Sequence, residues 1–212
     1  MEKEKKRKIK IVKKQLKFKG HILGIIIIII IAIVAFNAIF AWGIYKLSWQ
    51  NAVVEKIVEV LPYPAAKVNQ QYISFADYLK NLRAAEKFYD QQKKAGSPAI
   101  PTDLELKKMA LEQRLINNLL IETIADQYDV TVTDAEINNE LDQLIAQKGS
   151  QQALAGFLQD FYDLNIQEYA KYFIRPNLYF DKTQTALQQQ DLNFNDLLKE
   201  AIDKAQIKIY VY

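Results

Sequence analysis

Residues 114–141 read "RLINNLLIETIADQYDVTVTDAEINNEL". The first part, "LINNLLIETIA", is apolar around so much of a helical circumference that it belongs at the centre of a packed domain. "YDVTV" then interrupts the 3.6-residue period. Thr133 with Glu136 three positions later has the form of a capping box, in which the hydroxyl and the carboxylate each satisfy a free backbone N–H. Ile137, Leu141, Leu144 and Ile145 continue at helical spacing, and the pattern stops at Lys148-Gly149, where glycine suits the left-handed residue of a helix end. A buried helix, a turn and a freshly capped helix point to a mainly α domain.

The same signals recur outward from this stretch. Thr102 with Glu105 opens the central helix, and "SPAIP" before it breaks the chain. Ser74 with Asp77 opens a helix whose stripe is Phe75, Tyr78, Leu79, Leu82, Ala85 and Tyr89, ending at Gly96. On the other side, Ser150 caps a short helix through Leu154, Phe157, Leu158 and Phe161. Asn165 with Glu168 starts another through Tyr169, Phe173 and Leu178 to about Gln190, in which Pro176 is predicted to produce a kink, because it lacks the N–H. Phe194, Leu197, Leu198, Ala201, Ile202 and Ala205 form a last amphipathic helix. "QIKIYVY" after it alternates Ile207, Ile209 and Val211 with polar neighbours, the period of a half-buried strand. A lone strand needs a partner. The other strand material is "AAKVNQQYIS", a hairpin with Val68 and Tyr72 or Ile73 around Asn69, a residue that tolerates positive φ. The predicted domain, residues 63–212, is therefore all-helical and closed by a small antiparallel sheet of this hairpin and the terminal strand.

Ahead of it, residues 22–45 hold no charged side chain. At about 1.5 Å per residue this run is long enough for a bilayer core of about 30 Å. It exceeds a secretory signal's apolar region of about 7–15 residues, and the exit "AIFAWGIYKLSW" lacks a small-x-small cleavage site. The expectation is an uncleaved signal anchor over 21–47, with a stalk over 48–62 that carries Val53, Val54, Ile57, Val58 and Leu61 at helical spacing. Asn37, inside the span, is read as a tolerated amide. Residues 1–20 contain ten Lys or Arg against Glu2 and Glu4. That asymmetry predicts a cytoplasmic N-terminus and an extracytoplasmic remainder in a plasma membrane, the bacterial kind fitting best, with Trp42, Tyr45 and Trp49 at the outer interface. The whole chain carries +3, so the part after Gly20 carries −5. A basic surface for nucleic acid is therefore not supported there.

The chain has no Cys, and His21 is its one histidine. The outer part therefore has no Cys-His or Ser-His pair and no transition-metal site beyond carboxylates. Asp77, Glu105, Glu136 and Glu168 are read as capping residues. Asp126, Asp129 and Asp134 lack the alternation and glycine of an EF-hand loop. No phosphate-binding loop is present. No metal, cofactor or catalytic residue is expected. The conspicuous feature is "FLQDFYDLNIQEYAKYFIRPNLYF", residues 157–180. Aromatics at this density fill cores, yet Phe157, Phe161, Tyr162, Tyr169, Tyr172 and Phe173 fall near one junction and are the candidate substrate-binding residues of an apolar groove.

The run "AAKVNQQYISFADYLKNL", followed by "LEQRLINNLLIETIADQYDVTVTDAEINNELDQLIAQKGSQQALAGFLQDFYDLNIQEYAKYFIR", resembles the N-terminal chaperone domain of SurA and PrsA, and more distantly the peptide-binding part of trigger factor. The resemblance spans about residues 65–190, and the helix and strand at 192–212 look like the family's closing elements. Those proteins usually carry a parvulin prolyl isomerase domain with paired histidines before the closing helix; here Gln190 is followed almost at once by Phe194. The resemblance implies the chaperone module without the isomerase, binding polypeptide over a broad surface with no signature residue. The function expected is a membrane-anchored, ATP-independent holdase for unfolded or newly translocated polypeptides. The alternatives are a scaffold for one folded partner, which co-purification would distinguish, and an inactive parvulin relative.

Overall fold

The computed structural model describes residues 2–97 and 101–212, with side chains from residue 24 onward. Pro98, Ala99 and Ile100, part of the expected chain break, lie outside the described residues, as does the side chain of His21. The chain divides into two compact units, Met1–Trp49 and Gln50–Tyr212.

The first unit is helix α1, Glu2–Lys46. Its segment Gly24–Lys46, 23 residues, is long and apolar enough to cross a membrane. Asn37 donates its amide N–H to the Ile33 carbonyl at 2.8 Å, one turn back, which satisfies a polar group in an apolar stretch. Past α1 the chain reverses: Ser48 takes a φ of 51°, and the Trp49 N–H donates to the Gly43 carbonyl at 3.2 Å. A Cβ on residue 43 would lie 2.3 Å from the Trp49 ring, so only glycine permits this approach.

The second unit is mainly helical with one small sheet. Helix α2, Ala52–Val60, begins where the Asn51 side chain accepts from the Val53 and Val54 N–H groups. This segment, expected as a stalk, buries Val54 and Val58. Arg83 of helix α3, Phe75–Lys94, ties it down with a 2.5 Å ion pair to Glu55 and a 3.0 Å hydrogen bond to the Gln50 carbonyl.

Strands β1, Pro64–Val68, and β2, Gln71–Ser74, form the expected hairpin. The terminal strand β3, Ile207–Ile209, pairs antiparallel with the free side of β1, giving the order β2-β1-β3. Asn69 turns the hairpin at φ 54°. It also explains why the usual glycine is missing: its side-chain oxygen accepts from the Gln206 N–H at 2.9 Å, while its own N–H donates to the Gln206 carbonyl at 2.9 Å. One residue thus shapes the hairpin and docks the C-terminal strand.

The central helix is α4, Asp103–Lys108, and α5, Asn117–Gln127, joined without a break by π1, Met109–Ile116, which is π-helical. Helices α6, Asp134–Lys148, and α7, Gln151–Tyr162, follow. Then α8, Ile166–Tyr169, passes through a second π-helical segment, π2, Ala170–Ile174, into α9, Arg175–Gln188. At Pro176, where a kink is expected, the turn before the proline is widened into π2 and the helix runs on through Pro176 into α9. Helix α10, Phe194–Lys204, comes directly after, with no inserted domain. Ile121, Ile124, Leu187 and Phe194 make one core cluster of α5, α9 and α10. Val132, Ile137 and Ile174 make another, between π2 and the start of α6.

Thr102–Glu105, Thr133–Glu136 and Asn165–Glu168 are complete capping boxes. Ser74 accepts from the Asp77 N–H at 3.0 Å and donates its hydroxyl to one carboxylate oxygen at 2.8 Å, while the other carboxylate oxygen accepts from the Lys171 ammonium at 2.5 Å and the Tyr172 hydroxyl at 2.7 Å. Other capping acids also reach across the fold: Glu136 pairs with Lys182 at 2.5 Å and Glu168 with Lys80 at 3.0 Å. The acids that the sequence marks as local caps also fasten distant helices together.

Candidate functional site

The aromatic stretch is divided among α7, α8 and π2. Helical spacing places Phe157 and Phe161 on one face of α7, with ring centroids 4.6 Å apart. Asp163, at φ 55°, then reverses the chain, which returns Tyr169 and Phe173 beside Tyr162. Tyr162 lies 5.8 Å from Tyr169 and 5.3 Å from Phe173, and those two stack at 4.8 Å. Phe157, Phe161, Tyr162, Tyr169 and Phe173 are therefore linked ring to ring, with Phe161 36% exposed at the outer end. Lys148 caps the Phe157 face, its ammonium 3.6 Å from the ring centroid. Tyr172 is placed differently. It is buried with Ala84 and Leu164 beneath the cluster, and its hydroxyl is committed to Asp77.

The cluster borders a cavity of about 290 Å³. Helix α3 contributes Ala84, Ala85, Phe88 and Tyr89, π1 contributes Met109, Ala110, Gln113 and Arg114, and Tyr162 and Phe173 complete the wall. Phe88 lies nearly parallel to Tyr162 at 5.8 Å. A second cavity of about 280 Å³ lies between α6 and α9 and takes in Glu140, Leu144, Tyr169, Phe173, Asn177 and Asp181. Phe173 lines both.

Arg114 is the charged residue in the wall of the first cavity. Its guanidinium lies 4.3 Å from the Phe173 ring centroid, and one terminal nitrogen is buried with no hydrogen-bond partner. Burial pushes its pKa down, against the opposing influence of Tyr162, Tyr169 and Tyr89, though a guanidinium stays protonated. Burial likewise raises Tyr169. Phe88, Tyr89 and Arg114 were not among the residues expected from sequence. A signal existed for Arg114: at helical spacing it falls on the face of Ala110, Ile121 and Ala125, all buried, where a cation is out of place.

Of the acids near the α5–α6 turn, Asp129 occupies the left-handed position after α5 at φ 56°, and Asp134 is paired with Arg175 at 3.0 Å. Nothing at the aromatic site assembles a nucleophile with a base. The arrangement offers apolar surface, ring faces and two cations, Arg114 and Lys148, which suits binding.

No curated protein and no solved structure matches the chain. A family model does: residues 13–160 match the SurA-like N-terminal domain, a chaperone-type, non-catalytic module of extracytoplasmic proteins that binds polypeptide. The match takes in α3, π1 and most of α7, and so Phe88, Tyr89, Arg114 and Phe157; the rings from Phe161 to Phe173 lie beyond it. Spanning well over half of the sequence, it assigns the chain to the SurA-like N-terminal domain family.

Proposed function

We propose that this protein is an ATP-independent holdase, anchored in the plasma membrane through residues 22–47 with its N-terminus in the cytoplasm, that shields apolar segments of unfolded or newly translocated polypeptides on the extracytoplasmic side. The observation that carries this reading is the ring-to-ring cluster of Phe157, Phe161, Tyr162, Tyr169 and Phe173 beside an unfilled cavity of about 290 Å³. A cluster serving only as core would close over that space, since interiors pack densely. Binding is weak and tolerant of sequence, each buried client side chain contributing at about 25 cal/mol per Å². Tethering raises the local concentration of the domain where chains emerge.

The test follows light scattering of a chemically unfolded client diluted into buffer with or without the full chain in lipid nanodiscs. Suppression near equimolar ratio, reduced by Phe161→Ser in a variant of unchanged thermal stability, is the expected result. No suppression by a well-folded chain, with one stoichiometric folded protein co-purifying, would replace the holdase by a dedicated scaffold.

A further inference from the structure

Four arginines occur in the chain. Arg7 lies in the basic N-terminal stretch. Arg83 is paired with Glu55 at 2.5 Å and Arg175 with Asp134 at 3.0 Å. Arg114 has no carboxylate partner among the described residues, although it is more deeply enclosed than an ordinary surface arginine and has a terminal nitrogen shut off from solvent without a hydrogen bond. The residue as a whole is half-buried, and for the enclosed part of its guanidinium an unmade hydrogen bond is costly, so a partner there is worth more than on the open surface. The guanidinium lines a cavity of about 290 Å³ whose other walls are chiefly apolar and aromatic. Its planar fork matches a carboxylate. The backbone makes the same point, because Arg114 and the ring beneath it, Phe173, lie in the two π-helical segments, a geometry that recurs at functional sites.

We infer that Arg114 and its aromatic walls form a subsite for the carboxylate of a Glu or Asp side chain within an otherwise apolar polypeptide segment. This rests on the reading of the domain as polypeptide-binding. We take the carboxylate to be a side chain's and not a chain end's, because a second cavity also has Phe173 in its lining and offers the rest of a longer segment a place to lie. Glu140 and Asp181 at that second cavity repel another acid and leave it to an apolar or basic neighbour. The domain thus prefers apolar segments punctuated by a single acid over purely apolar ones.

The experiment measures fluorescence anisotropy of short labelled peptides with the full chain in nanodiscs. One peptide is acetylated and amidated and carries Glu between Phe and Leu; the second replaces that Glu with Gln; the third is the Gln peptide with a free C-terminal carboxylate. The Glu peptide is expected to bind at least about tenfold more tightly than the other two, the strength of a charge-assisted hydrogen bond. Arg114→Met, which keeps volume, is expected to erase the difference between the Glu and Gln peptides, and Arg114→Lys to retain part of it. Equal affinity of the Glu and Gln peptides for the wild-type chain would overturn the inference and leave the holdase standing. Preference for the free C-terminus would overturn it in favour of chain-end recognition, and absence of binding by all three would overturn both.

Discussion

At the scale of single residues, the acids at the starts of helices do more than their position in the sequence announces. Asp77 is held below its ordinary value although burial pushes it upward, because hydrogen bonds from Lys171, Tyr172 and Ser74 outweigh that burial. Glu136 is pulled down to about 2, first by Lys182 and then by the Thr133 N–H and hydroxyl. A carboxylate with a depressed native pKa stabilises the fold above its unfolded value of about 4, and that contribution is lost as pH falls through the native value. Glu86 and Glu122, both raised by burial, act in the opposite sense and favour the fold as they take up protons. The expected profile of thermal midpoint against pH rises slightly on mild acidification and then falls between about pH 4 and 2. Glu136→Gln should flatten the acid limb, as read by calorimetry across that range. Asp77→Asn removes the charge that holds Lys171 and Tyr172, and should cost about 1–3 kcal/mol in urea unfolding at pH 7. These longer reaches are not legible in the sequence. Ser74-x-x-Asp77 and Thr133-x-x-Glu136 look alike because a cap is local, whereas Lys171 and Lys182 meet them only through packing.

At the scale of elements, the helices and the β3 strand could be read because each carries its own instruction: a capping residue, an apolar period, or strict alternation such as Ile207, Ile209, Val211. The pairing of β3 with the hairpin followed from there being no other strand material, while the choice of β1 over β2 came only with the structure. The π-helical segments could not be read. "MALEQRLI" and "AKYFI" have ordinary helical composition, with nothing local to mark the wider turn. For that reason the rings of residues 157–173 were legible as a group, while the cavity beside them, and Arg114 in it, were not. Asn69 offers a direct check. Asn69→Gly keeps the positive φ but deletes the bond to Gln206, and Asn69→Ala loses both, so the expected order of stability is Asn, then Gly, then Ala. Loss for Ala should be about 1–3 kcal/mol. Hydrogen exchange should report faster opening at the amides of 207–209 before the helices are affected.

For the whole molecule, the proposed anchor makes a prediction independent of binding. Full-length protein should stay with the membrane fraction after alkaline carbonate washing, and Ile30→Arg should weaken insertion by about 2.5–3.5 kcal/mol at mid-span. Protease added outside intact cells, with the outer layers of the envelope opened, should digest the part after Trp49 and spare the basic N-terminal stretch; the reverse pattern would invert the topology. The sheet adds a constraint in time. Asn69 and its partner Gln206 are 137 residues apart, so a ribosome releases β1 and β2 long before the strand that covers them. From the making of β1 to that of β3, about two thirds of its own synthesis, this protein leaves the β1 edge unpaired, an edge of the kind on which other chains aggregate, and so carries for a time the liability of the clients it is proposed to hold.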